Sequence, residues 1–236
     1  DAHELVRTRI PITGPTRIAS AVLEHETGRE YRFTPQGPTL SEREWRECLD
    51  LVAQVDCDAM VLSGSLPPGV PADFYARIAH LLRPRGIEIV LDSSGPALAH
   101  GIDAGSLFLI KPSLGELQQY TGRKLTAPDE IGRAAMEIVE AGKARLVAVT
   151  MGHEGAVLAR AEGPVFLPAL RIEAASAVGA GDSFVAGMVF ALSTGKSELE
   201  AFRFGMASGS AAVLRAGTGL ACPPDIERLL KQIPEM

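Results

Sequence analysis

The amino-acid sequence predicts an α/β fold in which a doubly wound, mostly parallel sheet carries helices on both of its faces. Short apolar strands alternate along the chain with helices whose apolar residues recur at helical spacing. Segment 146–149 is apolar throughout, which is typical of a strand covered on both faces. The chain has 236 residues, 46% of them hydrophobic, and this size suits a single α/β domain. We therefore expect one domain over residues 1–236, with a small β lid at about 10–40 and an α/β core at 41–236.

The first two predicted strands form a small antiparallel element around the polar turn 24–30. Gly28 in that turn can take the positive φ that a hairpin needs. The later strands are short apolar runs that end in polar or glycine-containing loops. The predicted strands are, in order, 18–23, 31–33, 58–62, 87–91, 107–110, 146–149, 156–159 and 165–167.

The predicted helices are recognised by their caps and by one apolar face. Ser41 and Glu44 form a capping box, and Pro71 suits the first position of a helix. Thr126 is a candidate N-cap, and Gly142 is a candidate for the turn that ends the same helix. The helices are predicted to begin at Ser41, to cover 71–82, to follow the loop 92–95, to begin at Thr126, and to cover about 182–193 and 197–214.

Composition excludes several classes of partner. The chain carries 23 Lys and Arg against 29 Asp and Glu, a net charge of -6, which argues against broad binding to nucleic acid or to an anionic membrane. No segment approaches the roughly 20 apolar residues of a membrane span. The three cysteines are far apart and lack metal-ligand spacing, which fits a reducing compartment. We therefore expect a cytoplasmic protein that binds neither nucleic acid nor membrane.

The turn Gly179-Ala180-Gly181-Asp182, which opens an apolar helix, is the strongest functional signal. Small residues let the amides of Gly179, Ala180 and Gly181 approach an anion, and the helix adds unsatisfied N–H groups and its positive dipole end. A carboxylate beside a bound phosphate suits a general base that takes a proton from an attacking hydroxyl. The alternative interpretation is a tight strand-to-helix turn with an acidic first-turn residue.

Polar side chains also follow several apolar strands, either directly or after a brief loop. The carboxyl ends of parallel strands meet at one edge of a sheet, where ligands bind in doubly wound folds. Clustering at this edge favours a functional site over unrelated loop residues. The residues concerned are Ser63, Ser65, Asp92, Lys111, Ser113, Thr150 and Asp182.

Phosphoryl transfer needs positive charge near the donor phosphates. One residue is a candidate to supply it directly, and two are candidates to hold a magnesium ion that supplies it. Lys111 can neutralise phosphate charge, although a lone lysine at a strand end can equally be incidental. Asp92 and Glu116 can support Mg²⁺ through bound waters, because this ion takes few carboxylates directly. Their structural alternatives are a loop cap and a first-turn helix acid.

The remaining candidates concern the nucleotide and the acceptor. Thr150 and Gly152 can let backbone and hydroxyl groups approach a nucleotide. The small residues near Ser210, together with Gly217, can form a slot for adenine, or they can simply allow close helix packing. Arg17 and Ser65 can bind a phosphate already present on the substrate, the arginine through its planar donor fork.

Two competing motifs fail on spacing. Gly195-Lys196-Ser197 is similar to the end of a P-loop, but Phe190 stands where the first glycine belongs. Gly179-Ala180-Gly181 begins like a dinucleotide fingerprint, but Phe184 occupies the third glycine position. A P-loop enzyme and a dehydrogenase are therefore disfavoured.

Five motifs in matching order and spacing resemble the ribokinase-like PfkB family of carbohydrate kinases. They are Ser63-Gly64-Ser65-Leu66-Pro67-Pro68-Gly69, Asp92-Ser93-Ser94-Gly95, Lys111-Pro112-Ser113-Leu114-Gly115-Glu116, Thr150-Met151-Gly152-His153-Glu154-Gly155 and Gly179-Ala180-Gly181-Asp182. Within the family, Thr16-Arg17, Gly37-Pro38 and the first of these motifs resemble the branch of minor-type 6-phosphofructokinases, tagatose-6-phosphate kinases and 1-phosphofructokinases.

The resemblance implies an ATP- and Mg²⁺-dependent kinase that works as a homodimer on a sugar phosphate, foremost fructose 6-phosphate. By position, it implies that Asp182 is the base beside an anion hole at 179–181, and that Arg17 and Ser65 contact the substrate phosphate. It implies nucleotide contacts at Lys111, Thr150, Gly152, Gly155, Ser210 and Gly217, and a Mg²⁺ network at Asp92 and Glu116. Tagatose-6-phosphate kinase and 1-phosphofructokinase activities remain alternatives, as does a non-catalytic nucleotide-binding fragment.

The sequence departs from the family pattern in three ways. Ser113 replaces the asparagine of the family's Lys-Pro-Asn-x-x-Glu, and Ala177 replaces a common threonine. The family's first strands, a sugar-binding aspartate and a Gly-Gly-x-Gly-x-Asn loop do not occur in these residues. We therefore expect an N-terminally incomplete ribokinase-like domain.

Overall fold

A computed structural model of the chain describes residues 5–24, 26–27 and 29–235. Six strands form one sheet in which spatial order follows chain order. The first four strands run parallel, and the last two are antiparallel to their neighbours. The six are β3 (Ala59–Ser63), β4 (Glu88–Asp92), β5 (Leu107–Ile110), β6 (Ala144–Thr150), β7 (Gly155–Arg160) and β8 (Gly163–Pro168).

Ahead of this sheet lies a separate two-stranded antiparallel sheet, which we call the N-terminal ribbon. It consists of β1 (Ser20–Leu23) and β2 (Glu30–Phe33), with Ser20 opposite Phe33. This confirms the small antiparallel element, while the predicted turn residue Gly28 lies outside the described residues. The ribbon exposes Val22, Leu23, Tyr31 and Phe33, and Ile18, two residues before it, is exposed as well.

Eight α-helices are formed by the described residues. None of them combines the length and the apolar character that crossing a bilayer requires. They are α1 (Glu42–Gln54), α2 (Phe74–Leu82), α3 (Gly95–Ala104), α4 (Leu114–Thr121), α5 (Pro128–Glu140), α6 (Ala180–Ser193), α7 (Glu198–Ala212) and α8 (Pro223–Leu230).

Side chains alternate between the two faces of the sheet and so divide the core. Leu91 and Val147 belong to a cluster with α1 to α5, whereas Val90, Leu109 and Leu146 pack with α6 to α8. Successive residues of a strand point to opposite faces, so apolar strands can bury both sides at once. The doubly wound, mostly parallel architecture is thus confirmed.

Two predicted helix starts are wrong, and prolines explain both. Residues 71–73 form a turn in which the Phe74 N–H donates to the Pro71 carbonyl at 3.0 Å, so α2 begins at Phe74 rather than at Pro71. The N-cap of α5 is Ala127 rather than Thr126, because Pro128 takes the first helical position and the residue before a proline prefers extended backbone. Helix α8 was not predicted.

Glu44 fastens the segment ahead of the ribbon to α1. Its carboxylate accepts from the Ser41 N–H at 2.6 Å, which completes the predicted capping box, and from the Thr13 N–H at 2.6 Å. The Ser41 and Thr13 hydroxyls donate as well, at 2.8 and 3.0 Å. These hydrogen bonds, with the Ser41 backbone first, lower the pKa of Glu44 from 4.5 to about 2.

We expect Glu44→Gln to weaken the acid dependence of stability. The folded-state pKa lies below the unfolded one, so the stabilisation by the ionised carboxylate is present above pH 4.5 and is lost as the pH falls toward about 2. Urea unfolding between these pH values should show a smaller loss of unfolding free energy in the variant than in the parent chain. Glu42→Gln, at an exposed position two residues earlier in the same first turn, is the control; equal pH slopes in all three proteins would contradict the assignment.

Candidate active site

The start of α6 presents free backbone amides. Gly179 is the N-cap with φ +75°, a conformation that favours glycine, and the first helical hydrogen bond runs from the Ser183 N–H to the Gly179 carbonyl at 2.9 Å. A helix leaves its first N–H groups without an intrahelical acceptor. Within the described chain, no side chain or loop carbonyl accepts from Ala180, Gly181 or Asp182. This helix end can therefore receive an anion.

Lys111 lies directly against this helix end. Its Nζ would be 3.5 Å from a Cβ built on Gly181. The same ammonium pairs with Asp92 at 3.2 Å, and the two side chains are only 7% and 13% exposed. The ends of the neighbouring strands β4 and β5 thus place a buried ion pair beside the amides of α6.

The carboxylates of this region influence one another. Burial raises the pKa of Asp92, Lys111 opposes that rise, and the negative charges of Asp182 and Glu116 reinforce it. Asp182 itself is exposed in the first turn of α6. Three acidic groups and one ammonium therefore share a single electrostatic neighbourhood, as the site prediction requires.

Glu116 has a structural role in addition to its predicted role at a metal. Its carboxylate accepts from the Ser113 N–H at 2.7 Å, and its own N–H donates to the Ser113 hydroxyl at 3.3 Å, which makes a capping box on α4. Serine keeps the N-cap function that asparagine also performs well. The departure at Ser113 therefore preserves the start of α4.

The donor set fits a hydrated magnesium ion better than a dehydrated one. No group of three His, Cys, Asp or Glu side chains within the described ranges could hold a metal ion. Asp92 and Glu116 are two carboxylates near the anion-binding amides, and Mg²⁺ usually keeps several waters and takes one or two carboxylates. The residues are thus compatible with the predicted Mg²⁺ network through water.

A cavity of about 400 Å³ adjoins the start of α6. Thr150, Gly152, Gly155 and Ser210, all predicted nucleotide contacts, line it. Gly217 is not among the residues that line it, because it lies in the exposed turn after α7. The other lining residues are Ala180, Gly181, His153, Ala169, Leu170, Ile172, Ala174, Ala177, Phe184, Met206, Gly209 and Val213.

The glycines of α7 serve helix packing. A Cβ on Gly205 would lie 2.5 Å from Met188 Cγ, and one on Gly209 would lie 3.0 Å from the Ala180 carbonyl oxygen. Helix α7 therefore packs closely against α6, with Ser210 at the cavity wall. Of the two interpretations of these small residues, close packing is observed for Gly205, whereas Gly209 also borders the cavity.

Arg17 and Ser65 come together as predicted, although they are 48 residues apart. The Arg17 guanidinium donates to the Ser65 hydroxyl at 3.3 Å, and both side chains are exposed. The loop that carries Ser65 is held at the Gly64 carbonyl, which accepts 2.9 Å hydrogen bonds from the Tyr75 and Ser93 hydroxyls. This arrangement leaves one arginine and one hydroxyl available to a phosphate.

Sequence reasoning missed the residues that position this loop. Ser93 was noted only as part of a motif, and its burial at 5% exposure could not be read from a polar loop. Tyr75 stood among apolar helix residues, where its ring suits the core and its hydroxyl carries no separate signal. His153, named only within a motif, is exposed but also lines the cavity.

We expect Asp92→Asn to lower the unfolding free energy by about 3 kcal/mol, because it leaves the buried Lys111 ammonium without its partner. Adding Lys111→Met should restore most of that loss, since no unpaired charge remains. Urea unfolding measures both variants. Asp103→Asn is the control, because its pair with Lys143 is 58% exposed on the aspartate side. An equal loss of unfolding free energy in Asp92→Asn and Asp103→Asn would show that burial does not make the Asp92–Lys111 pair more important for stability than an exposed pair.

Comparisons with known proteins agree with this geometry. A family model described as pfkB family carbohydrate kinase matches residues 2–226. ATP-dependent 6-phosphofructokinase isozyme 2 of Mycobacterium tuberculosis is 39% identical over 228 residues, 96% of this chain and 67% of its own length. The 1-phosphofructokinase of Bacillus subtilis is 34% identical over 209 residues, covering 88% of this chain and 67% of its own. The chain therefore spans about two thirds of the length of these relatives.

Solved structures show the same relationship. The crystal structure of phosphofructokinase-2 from Escherichia coli in complex with potassium superposes with a TM-score of 0.89 at 36% identity, covering 94% of this chain and 72% of that chain. Ribokinase of Arabidopsis thaliana, with ribose and ATP, shares the fold with a TM-score of 0.69 at 22% identity, covering 93% of this chain and 70% of that chain. The ribokinase-like fold and the predicted resemblance are confirmed. This chain belongs to the pfkB family of carbohydrate kinases.

Proposed function

We propose that this chain is an ATP- and Mg²⁺-dependent kinase that phosphorylates the free primary hydroxyl of a ketohexose phosphate, foremost fructose 6-phosphate. The observation that carries the proposal is the position of Lys111 Nζ beside Gly181, at a helix start whose first turn holds an exposed Asp182. The names of the 6-phosphofructokinase relatives support the choice of sugar.

In this proposal Asp182 takes the proton of the acceptor hydroxyl as that oxygen attacks the terminal phosphoryl group of ATP. The exposed carboxylate can reach a hydroxyl bound in front of α6 without moving out of the core. The migrating phosphoryl group passes over the amides of 179–181, where the helix start stabilises its negative charge. Loss of the proton to Asp182 makes the acceptor oxygen a better nucleophile.

The donor phosphates lie between Lys111 and the cavity. Lys111 neutralises their charge at the start of α6, and Asp92 pairs with the Lys111 ammonium at that buried position. Mg²⁺, held through water by Asp92 and Glu116, supplies further neutralisation of phosphate charge when it is bound. The adenosine occupies the cavity lined by Thr150, Gly152, Gly155 and Ser210, and Gly217, in the exposed turn after α7, is proposed as a further nucleotide contact.

The phosphate of the sugar is bound by Arg17 and Ser65. An arginine presents a planar fork that suits phosphate oxygens, and the Ser65 hydroxyl lies 3.3 Å from it. Fructose 1-phosphate is a second candidate substrate, which the names of the 1-phosphofructokinase relatives support. Tagatose 6-phosphate is a third sugar phosphate of the same class. A non-catalytic nucleotide-binding role is the alternative of a different class, because the chain spans about two thirds of its relatives' length.

The proposed enzyme is one ribokinase-like domain that acts in the cytoplasm as a homodimer. Three free cysteines fit a reducing compartment. The exposed apolar side chains of the N-terminal ribbon suit burial against a second copy, since a lone two-stranded sheet is marginally stable in water. An inhibited form of Escherichia coli phosphofructokinase-2 is described as tetrameric.

We expect Asp182→Asn to lower kcat by about 10² to 10⁴, because the acceptor hydroxyl loses its base. The melting temperature should change little, since the side chain is exposed. Asp129→Asn is the control, because Asp129 is an exposed acid in the first turn of α5 and removes the same charge from a helix start. Sugar-dependent ADP release measures the effect, and near-normal turnover would remove Asp182 from the mechanism.

We expect Arg17→Ala to raise the KM for the sugar phosphate about tenfold or more while kcat and the KM for ATP change little, because a charged hydrogen bond to phosphate is lost. ADP release should be assayed with fructose 6-phosphate, tagatose 6-phosphate and fructose 1-phosphate, and the highest kcat/KM identifies the substrate. Arg133→Ala, an exposed arginine on α5, is the control. An unchanged KM for the preferred sugar would exclude Arg17 from phosphate binding, and nucleotide binding without ADP release would favour the non-catalytic role.

A further inference from the structure

A hydrogen bond joins the N-terminal ribbon to the loop that leads into α6. The Ser176 hydroxyl donates to a carboxylate oxygen of Glu30, the first residue of β2, at 2.7 Å. The two residues are 146 positions apart in the chain. Ser176 is only 6% exposed although every neighbour from Glu173 to Ala177 is exposed, so its side chain is buried by this contact rather than by the loop itself.

The same hydroxyl also holds the backbone next to the anion site. It accepts from the Val178 N–H at 3.2 Å, and Val178 directly precedes Gly179. The N–H groups of Ala175 and Ser176 both donate to the Val213 carbonyl at the end of α7, at 2.7 and 3.3 Å. Ser176 is therefore the point at which the ribbon, the end of α7 and the start of α6 meet.

The loop borders the nucleotide cavity on its other side. Ala174 and Ala177 line the cavity together with Ala180 and Gly181. Different residues of this short loop thus contact the ribbon and the cavity. A displacement of the ribbon that pulls on Ser176 must move the cavity wall and the residue before Gly179.

The ribbon is also continuous with the sugar-phosphate candidate. Arg17 lies three residues before the first residue of β1 and donates to Ser65. Glu30 lies opposite Leu23, the last residue of β1, in the ribbon register. The Ser176 and Arg32 hydrogen bonds lower the pKa of Glu30, which keeps this acceptor ionised at neutral pH.

We propose that Glu30 and Ser176 are positioning residues that couple the sugar-phosphate site at Arg17 to the anion-binding amides at 179–181 and to the nucleotide cavity. This inference rests on the proposed function. The coupling acts through the Ser176 hydroxyl, which orders the backbone just before Gly179. It does so only while it is hydrogen-bonded to Glu30. Neither residue touches the reacting atoms.

The coupling predicts a specific kinetic pattern. Without the Glu30 carboxylate, the Ser176 hydroxyl loses its acceptor and the amides must be ordered in the transition state, so kcat should fall about tenfold, and the KM for ATP at saturating sugar phosphate should rise about fivefold as the coupling is lost. In the parent chain, sugar phosphate should raise the affinity for a non-hydrolysable ATP analogue by a factor of about 5 or more, and Glu30→Ala should bring that factor close to about 1.

Matched variants separate positioning from simple loss of stability. Glu30→Gln keeps an acceptor oxygen for Ser176 and should retain most of the coupling, as should Ser176→Thr, which keeps the hydroxyl. Arg32→Ala removes the other partner of Glu30, 3.1 Å from its carboxylate, without touching the loop, and should leave kcat unchanged. Ser176→Ala should behave like Glu30→Ala. Equal kinetic effects of Glu30→Ala and Arg32→Ala would overturn the proposal.

Amide hydrogen exchange tests the coupling without relying on catalysis. In the ligand-free chain, Glu30→Ala should speed exchange of the two hydrogen-bonded amides that flank the anion site, Val178 and Ser183, about tenfold, whereas Glu30→Gln and Arg32→Ala should not. Unchanged exchange in Glu30→Ala would overturn the proposal even if the enzyme is active. Faster exchange in a chain that shows no sugar-dependent ADP release would support the link from ribbon to loop and would count against the proposed function alone.

Discussion

The buried pair of Lys111 and Asp92 is the constraint around which the site is built. An ammonium that is 7% exposed stays charged only beside an opposite charge, and the parallel register that places β4 next to β5 brings that charge within 3.2 Å. The Lys111 side chain also lies against Gly181. The position of the ammonium at the start of α6 therefore depends both on the pairing of β4 with β5 and on the absence of a side chain at Gly181. The cost is a carboxyl group whose pKa is raised by burial. Such a cost is typical of a site selected for chemistry rather than for stability.

The sequence was sufficient to predict the layers of the fold and the sheet edge at which the candidate site residues lie. Apolar strands followed by polar residues placed Asp92, Lys111 and Thr150 at one sheet edge, because parallel strands share the direction in which they end. Helix boundaries failed where a proline could be assigned to a turn or to a first helical position, as at Pro71 and Pro128. Local rules leave that choice open because either placement satisfies the fixed φ of proline.

Contacts between distant segments could not be read in advance. The bonds from Glu30 to Ser176 and from Tyr75 to Gly64 join polar atoms with no periodic signal, and only the three-dimensional path of the chain shows that they meet. Gly217 stays a prediction, since it lies in an exposed turn and is not among the residues that line the cavity. Glu116 shows that a carboxylate predicted to support Mg²⁺ can also cap a helix.

Two glycines allow α6 and α7 to pack at very short distance. At Gly205 and Gly209 the helices approach so closely that a methyl group would meet the Met188 side chain or the Ala180 carbonyl. Such an interface resists sliding, because packed surfaces of this kind shift between discrete arrangements rather than deform continuously. We therefore expect the lining loop that holds Ala174 and Ala177, rather than the two helices, to yield when the adjoining pocket widens.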